Sequence, residues 1–203
     1  HGGRLPSIEE GGVVVLYSTW GHKNGSCPSR PQHKNHYPTY EAMQDKTVAG
    51  YFEYKATLES VQDIDVRIAP VGEAFRRVYQ ACKDGGQDPQ DADSLFSRLY
   101  APDCYHPSRL GSFLAACVFY GMISGKSPKH LVFETRGKTL AIEGFLVSKA
   151  YIDGPFDEFM INKLGPDKWA PEALSPELVR PLQAFAHAAL YPEDGMQNKS
   201  LPA

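Results

Sequence analysis

Asp103 and His106 stand three residues apart in DCYHPSRLGSFLAACVFYG (residues 103–121), directly before the most apolar helical pattern in the chain. A carboxylate that accepts the Nδ1 proton of an imidazole fixes the tautomer and leaves Nε2 as a general base. A His at the start of a helix also meets the positive end of the helix dipole, which favours the neutral ring. The pair thus has the composition of half a Ser–His–Asp hydrolytic site, with His106 as base and Asp103 as its orienter. The same spacing also suits a solvated capping turn, and spacing alone does not separate the two.

A second group of candidate residues lies far upstream. His22, His33 and His36, with Cys27 among them, follow Trp20 in GHKNGSCPSRPQHKNHYPTY, a loop of roughly 20 residues. His33-x-x-His36 offers two imidazoles, but no closing carboxylate pattern follows, so the expected reading is solvated loop histidines and no metal site. In open α/β sheets, ligands gather outside the carboxyl ends of the strands. By that rule this loop borders the same cleft as His106, and Trp20, His22 and Tyr105 are expected cleft residues. Cys27 and Cys104 fall on loops at that same edge. A disulfide between them is one option and two thiols the other. Cys117 sits on an apolar helix face and is expected in the core. Asn24-Gly25-Ser26 and Asn198-Lys199-Ser200 are sequons, so Asn24 and Asn198 are candidate glycosylation sites and lean the localisation towards a secretory or organellar compartment.

The elements that must position these residues read as alternating strands and helices. GGVVVLYSTW is a continuous β-branched and aromatic run, expected as a buried strand covered on both faces. PTYEAMQDKTVAGYFEYKATLES has helical spacing, with Thr39 as N-cap. VRIAPVG predicts a second buried strand ending at Gly72, and EAFRRVYQAC a helix after it. From Pro107, expected at the first helical position, Leu110, Phe113, Leu114, Cys117 and Val118 recur with the period of a buried helix face. LVFETRGKTLAIEGFLV predicts a hairpin around Arg136-Gly137-Lys138. SPELVRPLQAFAHAAL predicts a last amphipathic helix, with Ser175 as cap. This order implies an α/β unit with a parallel sheet.

The 203 residues carry a net charge of −3, with 42% hydrophobic and 22% charged residues, enough for one domain with a sizeable core. That balance, without a Lys/Arg patch, excludes a nucleic-acid partner at whole-chain level. No apolar run reaches the ~20 residues of a membrane span. The opening HGGRLPSIEEGG shows no signal peptide, and a chain starting at His1 is expected to be a processed or partial product.

The block LYAPDCYHPSRLGSFLAACVFYGMISGKSP resembles the last conserved block of the SGNH (GDSL-like) hydrolase superfamily. VLYSTWGHKNG with YPTYEAMQ resembles the strand, tryptophan turn and helix of its DUF4886-like branch. IAPVGEAFRRV resembles the next strand and helix, and LSPELVRPLQAFAHAAL the closing helix. The resemblance covers residues 13–128 and about 174–190. It implies the C-terminal part of an SGNH/flavodoxin-like three-layer α/β/α domain over residues 1–128, closed by a helix at 174–191. An insertion at 129–173, a β-hairpin plus an irregular aromatic arm, and a tail at 192–203 stand apart from it.

What the resemblance implies for function is a serine esterase acting on carbohydrate or lipid esters without metal or organic cofactor. His106 matches the family's base and Asp103 its orienting acid. The family's nucleophilic Ser and oxyanion-hole residues belong to a preceding half that has no counterpart here. Asp93-Ser94-Leu95 echoes the family name only superficially. Ser18 reads as packing and Ser108 as a helix cap. A second polypeptide or missing segment is therefore expected to complete both the sheet and the triad. The alternative is an inactive SGNH-like domain serving as a structural or binding subunit. Cys104 stands where relatives usually have Gly, and Tyr105 where they have a small residue, which narrows the expected site.

Overall fold

The computed structural model describes residues 13–25, 37–61, 64–131, 133–136, 139–142, 145–146 and 174–192. Strands β1 (Val13–Tyr17) and β2 (Asp65–Ala69) pair in parallel, from Val13 opposite Asp65 to Tyr17 opposite Ala69. Between them runs α1 (Tyr40–Val61), which Thr39 caps by accepting the Ala42 N–H at Oγ1, 3.2 Å. Lys55 of α1 donates to the Val66 carbonyl and so holds the helix along β2.

Pro70 brings β2 to a stop, since it offers no N–H to a ladder, and it stands as N-cap of α2 (Val71–Asp84). Gly72, expected at the end of the strand, is therefore the second residue of that helix. A single turn of helix, α3 (Leu95–Arg98), leads to the Asp103–His106 block. Then come α4 (Arg109–Ser124), a 3₁₀ turn (Pro128–His130), and α5 (Pro176–Leu190) at the end of the described chain. The hairpin read from the sequence is present as β3 (Phe133–Arg136) and β4 (Thr139–Ile142), antiparallel, with β5 (Phe145–Leu146) as a third strand. The irregular arm and the tail lie outside the described residues.

The core is chiefly helical. Phe75 and Val78 of α2, Leu110, Leu114, Cys117 and Val118 of α4, and Leu182 and Ala186 of α5 are all buried in one cluster. Each large apolar side chain removed from water there contributes about 1.5–3 kcal/mol. Cys117 takes the core position expected of it, and burial pushes its thiol well above the usual range.

The described fold is thus mixed α/β with a small parallel sheet, and none of its helices is long and apolar enough to cross a membrane. The burial expected of the two strands is not met: in β2, Asp65 and Arg67 are exposed, and only Val66 and Ala69 are buried. β1 is not covered on both faces by described residues: Val13, Val15 and Tyr17 are 44%, 40% and 39% exposed, alternating with half-buried Val14 and Leu16. An unbroken β-branched run marks a strand, but it does not say how many of its faces are covered.

Gly111, in the first turn of α4, sets how closely that helix approaches the Asp103–His106 block. A Cβ there would overlap the Leu99 carbonyl oxygen and stand 3.1 Å from the Phe75 ring. Gly111→Ala is expected to destabilise the fold by about 1–3 kcal/mol in urea denaturation, as overpacking does in a filled core.

Candidate active site

The segment after α3 closes on itself. Tyr100 and Pro107 form an antiparallel bridge, the Ala101 N–H donates to the His106 carbonyl at 2.9 Å, and the Ser108 N–H donates to Leu99 at 2.8 Å. Pro107 therefore belongs to this bridge rather than to the first helical position. Ser108 is the N-cap of α4. Its Oγ accepts from the Gly111 N–H at 3.3 Å and donates to the Arg98 carbonyl at 2.5 Å. At the tip, the Cys104 N–H donates to Ala101 at 2.9 Å. Cys104 takes φ +67°, a left-handed conformation that suits glycine and strains other residues.

That tight turn brings the side chain of Asp103 round to three donors. Oδ1 accepts from the backbone N–H groups of Tyr105 (3.2 Å) and His106 (3.0 Å), while Oδ2 lies 2.6 Å from His106 Nδ1. An ionised carboxylate can only accept, so Nδ1 carries the proton and Nε2 is left as the basic nitrogen of the neutral ring. The Asp103 side chain is 8% exposed and that of His106 is 42% exposed. The acid is thus held inside and the base presented outside, the arrangement an orienter and a general base require.

The loop after β1 lies against this turn. Trp20 stacks on Phe75, ring centroids 4.6 Å apart and planes 7° apart, and its Nε1–H donates to the Tyr105 carbonyl at 3.0 Å. The Lys23 N–H donates to the Cys104 carbonyl at 2.9 Å, and Lys23 Nζ donates to Ser97 Oγ at 2.7 Å. The loop is itself anchored by buried groups. Gln44 Oε1 accepts from the Gly21 N–H at 2.6 Å, and Tyr100 Oη donates to the Gly21 carbonyl at 2.7 Å. Burial pushes the Tyr100 phenol well above its usual range, with nearby Tyr40 and Cys104 adding to the shift, so it remains a donor.

The cleft residues read from the sequence do come together. The Tyr105 ring lies 4.0 Å from that of His106 and 5.6 Å from that of His22, whose backbone N–H donates to Met43 Sδ at 3.1 Å. Asn24 is exposed, as a glycosylation acceptor must be. Cys27, His33, His36 and Asn198 lie outside the described residues, and with them the question of the Cys27–Cys104 disulfide. Among the described residues, no three His, Cys, Asp or Glu side chains gather as metal ligands do.

Sequence reading missed Gln44, Tyr100 and Lys23, which position the site from elsewhere in the chain. The serines near the block have structural work. Ser94 caps α3, accepting the Ser97 N–H at 2.9 Å and donating to the Pro89 carbonyl at 2.6 Å. A further hydroxyl–imidazole contact, Ser127 Oγ to His187 Nδ1 at 2.9 Å, ties the 3₁₀ turn to α5 beyond the opposite end of α4 from His106. No family model, curated protein or solved structure matches the chain.

The conformation of Cys104 makes the turn sensitive to one side chain. A β-branched residue tolerates positive φ worst and glycine best. Cys104→Val is expected to be about 1–2 kcal/mol less stable than Cys104→Gly, measured by chemical denaturation of the two variants side by side.

Proposed function

We propose that this chain carries the base and the orienting acid of an SGNH-type serine esterase, an acyl hydrolase of carbohydrate or lipid esters. In this reading the nucleophilic serine comes from a polypeptide segment that is not in this chain and that also completes the parallel sheet. The observation that carries the proposal is the 2.6 Å contact between the Asp103 carboxylate, turned inward, and the more exposed His106 imidazole.

The chemistry assigned to the pair is acyl transfer in two halves. His106 Nε2 takes the proton of the serine hydroxyl as its oxygen attacks the ester carbonyl. It returns that proton to the departing alcohol as the acyl-enzyme forms. Water then attacks the acyl-enzyme in the same way, releasing the acid and restoring the serine. Asp103 keeps the imidazole in the required tautomer and stabilises the imidazolium formed in each half. These steps need no metal or organic cofactor.

One observation favours a second reading, an inactive SGNH-like domain that acts as a structural or binding subunit. Val13, Val15 and Tyr17 of β1 present apolar surface, as do Phe52 and Tyr54 of α1. Val13, Val15 and Tyr17 alternate along β1 and so share one side of the strand, an apolar strip of the kind a partner covers.

A fluorophosphonate probe applied to the native protein, together with every chain that copurifies, distinguishes the readings. The esterase reading expects one labelled serine, with labelling abolished by His106→Ala and slowed by about 10³-fold or more by Asp103→Asn. Absence of labelling in a stable copurifying complex would overturn it in favour of the subunit.

A further inference from the structure

The tip of the 101–106 turn is held from two directions. Its base is closed by its own strand-like bonds, from Tyr100 opposite Pro107 and from Ala101 to His106. Its tip carbonyls, those of Cys104 and Tyr105, receive hydrogen bonds from the loop after β1: the backbone of Lys23 and the indole of Trp20. Tyr105 directly precedes His106, so whatever fixes the Tyr105 carbonyl fixes the peptide plane from which the imidazole is hung.

Trp20 suits that task because it is restrained in its turn. The Phe75 ring lies parallel to the indole and sets its plane. The chain is fixed on either side of Trp20: two residues before, the Ser18 carbonyl accepts from the Gly72 N–H at 2.9 Å, and directly after, Gly21 is bonded at its N–H by the Gln44 side chain and at its carbonyl by the Tyr100 hydroxyl. Gly72 permits the first of these approaches, since a Cβ there would overlap the Thr19 carbonyl oxygen and the Gln44 amide. Gln44, which holds the Gly21 N–H, is fully buried on α1. A donor mounted on such a frame restricts its acceptor more than one on a freely rotating side chain, because little conformational entropy remains to be lost.

From this geometry we infer that Trp20 is a positioning residue for the His106 base. Its indole N–H, bonded to the Tyr105 carbonyl, holds the peptide before His106 in the orientation that lets Nδ1 meet Asp103. The indole thus works through the turn rather than on a substrate, a different role from the cleft-wall position suggested by its place in the sequence. The inference rests on the reading of His106 as a general base, but its structural content is testable without any enzymatic activity.

The test is the Nδ1 proton of His106, observed by ¹H NMR as a hydrogen-bonded resonance and followed by its exchange with water. Asp103→Asn removes the carboxylate acceptor and calibrates how the resonance responds when the contact is altered. Trp20→Phe keeps an aromatic ring against Phe75 but deletes the N–H. It is expected to speed exchange of the His106 proton by roughly 3–10-fold, the scale of one neutral hydrogen bond. Leu182→Ala empties a core position on α5 and lowers global stability without touching the turn, so it is expected to leave that rate unchanged.

A Trp20→Phe protein that exchanges this proton at the wild-type rate overturns the inference, as does a Leu182→Ala protein that accelerates it equally. A measurement on the unmodified protein stands behind the variants. The Trp20 indole N–H is expected to exchange at least 10-fold more slowly than that of free tryptophan, and an indole exchanging as freely as one in water rules the role out. Failure of fluorophosphonate labelling alongside a Trp20-dependent His106 signal would remove the esterase reading and leave the positioning role in place. Labelling alongside a Trp20-independent signal would do the reverse.

Discussion

A backbone carbonyl drawn out of water needs a donor, and a sharp turn points several carbonyls away from its own N–H groups. The 101–106 turn and the loop after β1 answer this need for each other. Lys23 and Trp20 supply donors to Cys104 and Tyr105, and Tyr100 supplies one to Gly21. Loss of a buried partner costs about 1–3 kcal/mol at the group left behind, so neither loop can shift without stripping the other. The Asp103–His106 contact sits at the centre of this mutual arrangement. Its geometry therefore depends on residues 20–23 as much as on its own four.

The helical core carries this arrangement. α2 contributes Phe75, which meets both the Trp20 indole and the Tyr100 ring, while α4 and α5 close the opposite side of the cluster. Gly111 lets the first turn of α4 lie against Leu99, so the helix that follows His106 and the segment that precedes Asp103 are packed as one piece. The small parallel sheet borders this core and leaves one side of β1 apolar and exposed. Such a surface agrees with both readings proposed for the protein, since each needs a further polypeptide to lie against it.

What was legible in the sequence was mostly what is local. Asp103 and His106 contact each other across three residues, and the turn that joins them follows from the short reach of an aspartate side chain. The apolar stripe of α4, the Thr39 cap and the hairpin likewise follow from neighbouring residues. Gln44, Tyr100 and Lys23 were illegible for the opposite reason. Their partners lie between 23 and 81 residues away along the chain, and a single Gln, Tyr or Lys within a helix or loop has no periodicity to betray it. The end of β2 was misplaced because Val71 and Gly72 continue an apolar run that Pro70 interrupts in space but not in composition. The exposure of β1 was missed because Val13 to Tyr17 would look the same in a strand covered on one face or on two.

The two bonds that clasp the loops, Trp20 to Tyr105 and Tyr100 to Gly21, span 85 and 79 residues. The Asx turn at Asp103 spans three. Chain entropy separates these events in time, since long loops close only once enough other contacts offset their cost. A newly made chain can therefore curl Asp103 towards His106 long before it has brought Trp20 alongside them. The carboxylate–imidazole pair is an early local product of folding, and its fixed aim arrives late, with the docking of β1 and the loop that follows it.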